Sequence, residues 1–140
     1  MEAKLQAWLN SHPVIFQGET VTIRNVFLNG ESQAGKFFDE LKEGDKTKTT
    51  AIMNLIDNKK GKVENGQKFK KLLEHDHESI LEVKATKQVR IACIWEKDYN
   101  LMLLFGTTKQ SDQWKSGDIQ QLKNVYDEYA AKKQSFLSKP

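Results

Sequence analysis

The chain has 140 residues, 22 basic and 19 acidic side chains, a net charge of +3 and one cysteine, Cys93. No apolar run reaches the roughly 18 residues that a membrane span requires, the start lacks the apolar core of a secretory signal, and a single cysteine excludes an internal disulfide framework. The small positive charge permits nucleic-acid binding without requiring it. We therefore expect a single cytoplasmic domain over residues 1–140, with no membrane partner.

The N-terminal quarter predicts a short helix and a strand. Residues 2–10 carry their large apolar side chains on one side of a helix. Residues 20–28 alternate apolar and polar side chains, which is typical of a strand, and Asn29-Gly30 is a turn signal.

A helical hairpin is predicted next. Ser32 is a suitable N-cap for a helix that we expect Gly44 to end. Asp45 is expected to cap the following helix, which runs towards Gly61. Because so short a link joins them, the two helices should pack antiparallel.

The segments on either side of the central sheet have different characters. Residues 61–78 are polar, with Asn65-Gly66 in the middle, and are expected to cross the surface without forming a strand. An amphipathic helix is predicted from Asp118, and residues 132–140 are expected to fray.

The stretch from Ile80 to Gln113 predicts three consecutive strands. Matching the apolar sets of the first two fixes their register, because opposed residues in an antiparallel pair share a face. Val83 then lies opposite Ile91, and Lys84 lies opposite Arg90, across a three-residue turn around Lys87. The third strand, residues 101–105, is apolar on both faces and should be central.

The opposed cations Lys84 and Arg90 have two interpretations. They repel each other, so packing alone gives no reason to pair them, and a preformed anion site is one explanation. The other is that Glu82 or Glu96 neutralises them.

The lysines between residues 59 and 71 also have two interpretations. They form either a solvated loop or an edge that faces a polyanion. Lys70 and Lys71, which end this run, are candidates for RNA contact.

Two further features carry weaker signals. His75 and His77 have the spacing of a metal pair, but no third cluster is visible, so we predict a surface loop and no metal. Cys93 falls on the apolar face of its strand without a His or Asp partner, and is expected to be a small core residue.

Five segments in this order resemble the RelE/ParE toxin superfamily, in particular its HigB-like, phage-derived Gp49-like branch. The similarity covers residues 23–131, while residues 1–19 form an extension that the family does not require. The matching segments are GESQAGKFFDEL, FKKL, ILEVKATKQVRIACIW, LMLLFGTTKQ and DIQQLKNVYDEY.

The resemblance implies an α+β fold, in which a curved antiparallel sheet packs against an N-terminal helical hairpin and is closed by a C-terminal helix. It also implies a toxin of a type II toxin–antitoxin system that cuts mRNA on the ribosome. In that reaction the RNA 2′-OH attacks the adjacent phosphate without a metal or cofactor. The implied partners are a cognate antitoxin, of helix-turn-helix type, and the ribosome with its mRNA.

The family's basic positions fall on Lys84, Arg90 and Lys109. The resemblance implies that Lys84 binds phosphate or acts as base, that Arg90 stabilises the developing charge, and that Lys109 binds phosphate or acts as acid. Trp114 could stack on an unpaired base, or instead contact the core or an antitoxin.

Three departures lead to an alternative function. Lys109 is followed by Gln110 where relatives often carry a second basic residue, no Tyr or His follows nearby, and Asp112 adds negative charge. The alternative is a protein of the same fold that does not cleave RNA. It would bind a protein target, as gyrase poisons do, or be an inactive phage-derived remnant.

Overall fold

The computed structural model describes residues 2–63, 66, 68–109 and 111–140. Within these ranges the chain is an α+β protein with four helices and a six-stranded sheet. None of the helices described has the length and apolar character needed to span a lipid bilayer. In chain order the elements are α1 (Glu2–Asn10), β1 (Val14–Gln17), β2 (Thr22–Asn25), α2 (Gln33–Asp39), α3 (Glu43–Asn58), β3 (Phe69–His75), β4 (Glu78–Lys84), β5 (Val89–Glu96), β6 (Asn100–Thr108) and α4 (Ser116–Ser138).

The sheet is mixed, with the strand order β1-β2-β6-β5-β4-β3. Neighbouring strands are antiparallel except β2 and β6, which run parallel. The expected antiparallel sheet is therefore wrong at the pairing of β2 with β6. Many residues separate these two strands, so the chain can return to the end of the sheet where β2 began and run β6 in the same direction. The apolar strand β6 is central, as predicted.

Helices cover both faces of the sheet. The predicted helical pair, α2 and α3, covers one face, and α1 and α4 cover the other. The first core contains Ala34, Ile52, Met53 and Ile56 packed with Ile23, Ile91 and Leu103. The second contains Trp8, Leu122 and Tyr129 packed with Ile94 and Met102.

The predicted register of the central hairpin is confirmed. Val83 pairs with Ile91 and Lys84 pairs with Arg90. The backbone N–H of Ala85 donates to the carbonyl of Val89 at 3.1 Å, which closes a three-residue turn around Lys87.

Strand β3 was not predicted. Residues 61–78 were expected to cross the surface, yet Phe69–His75 forms an edge strand paired with β4. A register shift between Lys71 and Leu73 interrupts the alternation that identifies a strand, and lysines are common on sheet edges, where they oppose aggregation. The predicted turn at Asn65 lies outside the described residues.

Helix boundaries confirm one predicted cap and correct others. Ser32 caps α2 by accepting a hydrogen bond from the Gly35 N–H. Helix α2 ends before Gly44, which lies in the first turn of α3, and the N-cap of α3 is Lys42 rather than Asp45.

Two other predicted boundaries change. The strand predicted over residues 20–28 is shorter, Thr22–Asn25, and is followed by the predicted turn at Asn29-Gly30, where both residues have positive φ. Helix α4 continues to Ser138 instead of fraying from residue 132. Its last turns are held because Lys133 binds the Glu96 carboxylate at 2.7 Å and Phe136 packs on Trp8.

The N-terminal segment is docked against the sheet. Strand β1 pairs with β2, so it covers what would otherwise be a sheet edge. The buried Arg24 donates to the carbonyls of Leu9 at 2.9 Å and His12 at 3.1 Å, which satisfies the C-terminal end of α1.

Candidate functional site

A buried carboxylate, Glu82 on β4, lies at the centre of the candidate site. Its Oε1 is 3.1 Å from Nε of Arg90 and 3.8 Å from Nζ of Lys109, and its Oε2 is 3.9 Å from Nζ of Lys70. The Trp114 Nε1–H donates to Oε1 at 2.7 Å. Four of the residues predicted from the sequence therefore meet at one acidic side chain.

Strand register explains the convergence. Glu82 and Lys84 share a face of β4 because they are two residues apart. Lys84 pairs with Arg90 on β5, and Glu82 pairs with Lys70 on β3. Lys109 follows β6 directly, and its backbone N–H donates to the carbonyl of Gln88 at 2.9 Å, which continues the β5–β6 pairing beyond the strand.

The Arg90 guanidinium is fixed by the turn that precedes its strand. Its Nη1 donates to the carbonyls of Thr86 at 3.1 Å and Lys87 at 2.6 Å. The Nε–H makes no aligned hydrogen bond with a described residue, so its contact with Glu82 is ionic. The Arg90 side chain is only 2% exposed, and this geometry holds it rigidly in place.

Lys109 is equally buried, and its ammonium donates to the carbonyl of Asp112. Burial lowers the pKa of Lys109, and the neighbouring Arg90 lowers it further, while Glu82 acts in the opposite direction. A lowered pKa makes the ammonium a better proton donor, which suits a general acid.

Positive charge is in excess around Glu82. A structural ion pair needs one cation for each carboxylate, whereas three cationic side chains lie within 4 Å of this one. A second carboxylate, that of Asp112, has its Oδ1 4.0 Å from Nη2 of Arg90, but the Asp112 side chain is 95% exposed. Glu82 therefore neutralises the cluster only in part, and the remainder favours an anion.

Access to the cations is restricted on the solvent side. The segment 111–115 lies over them, with Trp114 bonded to Glu82 and the Asp112 carbonyl bonded to Lys109. A cavity of about 450 Å³ lies beside them, lined by Lys87, Gln88, Ser111 and Asp112. Neither Arg90 nor Lys109 lines this cavity, so the segment 111–115 separates it from the two cations.

Two predicted residues stand apart from the contacts at Glu82. Lys84 is half-buried, lies on the same face as Arg90, and forms no ion pair with the described part of the chain. Lys71 points away and pairs with Glu74 at 2.6 Å. It does not join the cluster, because successive residues of a strand face opposite sides.

The sequence suggests for Glu82 only the role of neutralising the opposed cations Lys84 and Arg90. The signal for a central role was its position two residues before Lys84, which places both side chains on one face. Glu96, the other carboxylate considered, belongs to a different group and accepts hydrogen bonds from Tyr129 and Lys133.

The weaker candidates have structural roles. His75 contacts the Asp127 carboxylate, with Nε2 2.7 Å from Oδ1. Cys93 is fully buried, as predicted, and burial raises the pKa of its thiol. In the ranges that the structure covers, no group of three or more His, Cys, Asp or Glu side chains is arranged to hold a metal ion.

Fold and site together define an α+β protein with a buried, cation-rich carboxylate cluster at one end of a mixed sheet. Comparison of the sequence with models of known protein families and with curated proteins gives no match. Its function must be inferred from the cluster and from the order of its elements.

Proposed function

We propose that the chain is a RelE-like toxin of a type II toxin–antitoxin pair that cleaves mRNA on the ribosome. The observation that carries the proposal is the excess of cations around Glu82: Arg90, Lys109 and Lys70 surround one carboxylate. The element order from β2 through the helical pair to β4, β5, β6 and α4 agrees with the order that the family resemblance implies.

The proposed reaction is an internal transesterification. The RNA 2′-oxygen forms a bond to the adjacent phosphorus while the bond from phosphorus to the 5′-oxygen of the next nucleotide breaks. Glu82 or Lys84 accepts the 2′-OH proton, and Lys109 donates a proton to the leaving 5′-oxygen. Arg90 faces the charge that builds on the phosphorane oxygens, to which a guanidinium can donate two hydrogen bonds.

Cleavage requires that the segment 111–115 move. Arg90 and Lys109 are each 2% exposed, so a phosphate reaches them only when Asp112 and Trp114 are displaced. Displacement frees the Trp114 ring for an RNA base, and it removes the Asp112 carboxylate from the path of the phosphate. Loop movements of this kind commonly complete catalytic sites.

The burial of Arg90 and Lys109 favours a second candidate, a RelE-like protein that acts by binding a protein target without cutting RNA. Under this alternative the cluster around Glu82 stabilises the fold. The cognate antitoxin remains a proposed partner of both candidates, since either toxic activity has to be silenced.

Regulated expression in a bacterial host separates the candidates. Wild type should arrest growth and produce mRNA with new 5′ ends inside codons, and co-expression of the antitoxin should restore growth. Lys84→Ala is the informative variant because Lys84 is half-buried and forms no ion pair within the described ranges, so its loss should spare the fold. Lys48→Ala, on the exposed side of α3 and therefore on the other face of the sheet, is the matched control.

The three outcomes are distinct. Relief of arrest by Lys84→Ala but not by Lys48→Ala supports the endonuclease. Arrest with intact mRNA, unaffected by either substitution, supports the protein-binding candidate. Normal growth on expression of the folded wild type contradicts both.

A further inference from the structure

A second cleft, remote from Glu82, combines one exposed and one partly buried aromatic ring with lysines. It has a volume of about 430 Å³ and lies where the end of α3 meets the β5–β6 turn. Its walls are formed by Lys60, Gly61, Lys62, Trp95, Glu96, Asp98 and Tyr99.

The two rings of the cleft are held at right angles. Trp95 and Tyr99 have ring centroids 6.3 Å apart and an interplanar angle of 88°. Trp95 is fixed from behind by an edge contact with Phe69, whereas Tyr99 is 47% exposed. Asp98 and Tyr99 both have positive φ, so a tight turn presents the Tyr99 ring to solvent at some conformational cost.

A glycine brings the lysines to these rings. Gly61 has φ +79°, and a Cβ atom at this position would lie 2.8 Å from the Trp95 ring. The absence of a side chain lets the backbone cross Trp95 directly. Lys60 and Lys62, on either side of Gly61, are exposed and thus lie on the rim of the cleft.

The charge of the cleft favours a polyanion. Lys60 and Lys62 form no ion pair with any residue that the structure describes. Both carboxylate oxygens of Glu96 bind Lys133, and one of them also accepts from Tyr129, so that negative charge is compensated. Among the described residues that line the cleft, Asp98 is the one acidic side chain that remains uncompensated beside the two lysines, so this lining carries a net positive charge.

We propose that this cleft binds single-stranded RNA, with a base stacked on Tyr99 against Trp95 and flanking phosphates on Lys60 and Lys62. Aromatic platforms with adjacent cations are a common means of holding single strands, because every base offers a π face. A duplex keeps its bases stacked and cannot offer one in this way.

The cleft is separate from the Glu82 cluster. Trp95 follows Arg90 by five residues along β5, which corresponds to about 17 Å, and the two side chains point to opposite faces of the sheet. Binding at the cleft therefore does not require the chain to cleave RNA.

Binding of single-stranded RNA to the cleft can be measured by fluorescence anisotropy with a labelled 2′-O-methyl RNA of about 10 nucleotides. This probe cannot be cleaved, and its length is typical of the sites to which proteins bind single strands. Wild type should bind the single strand more tightly than a duplex of the same sequence. Tyr99→Asn tolerates the positive φ and should weaken binding about fivefold or more, whereas Tyr99→Phe keeps the ring and should bind as wild type.

The lysines are tested by salt dependence. Lys60→Ala with Lys62→Ala should reduce the slope of log affinity against log salt by about 1.4, the value for two lost phosphate contacts on a single strand. The exposed pair Lys42→Ala with Lys48→Ala is the matched control and should leave the slope unchanged.

Two results would overturn the proposal. One is absence of binding by wild type at low salt, and the other is an affinity that Tyr99→Asn leaves unchanged. Lys84→Ala distinguishes this failure from failure of the proposed endonuclease, since it removes a cation from the sheet face that carries the Glu82 cluster and should leave the Tyr99 effect intact.

Discussion

The Nε atom of Arg90 lies 3.1 Å from Oε1 of Glu82, and neither side chain exposes more than 3% of its surface. The two partners are not equivalent, because Lys109 lies 3.8 Å from the same oxygen. Within the described ranges, removing the carboxylate leaves two buried cations with only the exposed Asp112 carboxylate, 4.0 Å from Arg90, whereas removing the guanidinium leaves Glu82 with Lys109.

This asymmetry gives a stability prediction. Glu82→Gln should lower the free energy of unfolding by about 3–5 kcal/mol, the usual cost of breaking a buried pair from one side. Arg90→Met, which keeps the volume, should cost less than Glu82→Gln, because Glu82 retains Lys109 and Lys70 as counter-charges. Urea denaturation measures both, and equal losses for the two variants would show that Lys109 does not act as the second partner of Glu82.

His12 predicts a loss of stability in mild acid. Its Nδ1 accepts a hydrogen bond from the Phe27 N–H at 2.9 Å, so the buried ring is neutral. Burial, followed by the nearby Arg24, lowers the pKa of His12 from 6.5 to about 4, although Glu96 opposes the shift. Between these values the unfolded chain binds a proton that the folded chain does not, so stability falls as the pH falls.

The size of the effect follows from the shift. The contribution of the neutral His12 ring to the free energy of unfolding is fully present above pH 6.5. It decreases by about 3 kcal/mol as the pH approaches 4. His12→Asn retains an acceptor for the Phe27 N–H and cannot titrate. The difference in unfolding free energy between wild type and this variant should therefore shrink on acidification, and a constant difference would contradict the assignment.

Asp57 and Gly18 form a junction between α3 and the β1–β2 connection. The Asp57 carboxylate accepts backbone hydrogen bonds from Glu19 at 3.1 Å and from Thr20 and Val21, each at 2.8 Å. These bonds lower the pKa of Asp57. A Cβ atom on Gly18 would lie 2.1 Å from the Asp57 Cγ, so only glycine permits this approach.

Gly18→Ala should therefore displace Asp57 and lower the urea midpoint. The matched control is Gly44→Ala, since a Cβ atom there meets nothing within 4 Å. This substitution in the first turn of α3 should leave the stability unchanged or raise it slightly. Asp57→Asn should reproduce the loss seen for Gly18→Ala and remove the part of the acid sensitivity that lies below pH 3.8. A Gly18→Ala midpoint equal to that of Gly44→Ala would contradict the close approach.

Strands and helices whose apolar side chains recur at a regular spacing were predictable from the sequence. Alternation in residues 80–96 predicted two strands and the pairing of Lys84 with Arg90, and the apolar run 101–105 predicted the third strand. Ser32 was a predictable cap because a short polar side chain preceded an apolar helical pattern.

Features that depend on tertiary contacts were not predictable. The alternation of β3 is broken by its irregular register, so the strand is visible only once it is paired with β4. Two long-range contacts have no local signal: the parallel pairing of β2 with β6, and the hydrogen bond from Trp114 to Glu82. Asp112 looked like an obstacle to RNA, and the structure shows that its backbone carbonyl holds Lys109.

Trp8 tests whether the N-terminal extension, predicted over residues 1–19, is an integral part of the fold. Its ring is 6% exposed, and its Nε1–H donates to the Tyr129 hydroxyl at 3.2 Å. The ring also lies edge-on to His12, with centroids 4.7 Å apart. These contacts join α1 to α4, so the segment should unfold together with the rest of the chain.

Trp8→Ala should lower the free energy of unfolding by about 3–5 kcal/mol, because it opens a cavity between α1 and α4. Trp8→Phe should cost less, since it loses the hydrogen bond to Tyr129 but keeps most of the packing. Gln6→Ala, on the exposed side of the same helix, should stay within about 0.5 kcal/mol of wild type. Urea unfolding followed by both circular dichroism and tryptophan fluorescence should give one shared transition. Separate transitions, or a Trp8→Ala variant as stable as Gln6→Ala, would show that α1 is a dispensable appendage.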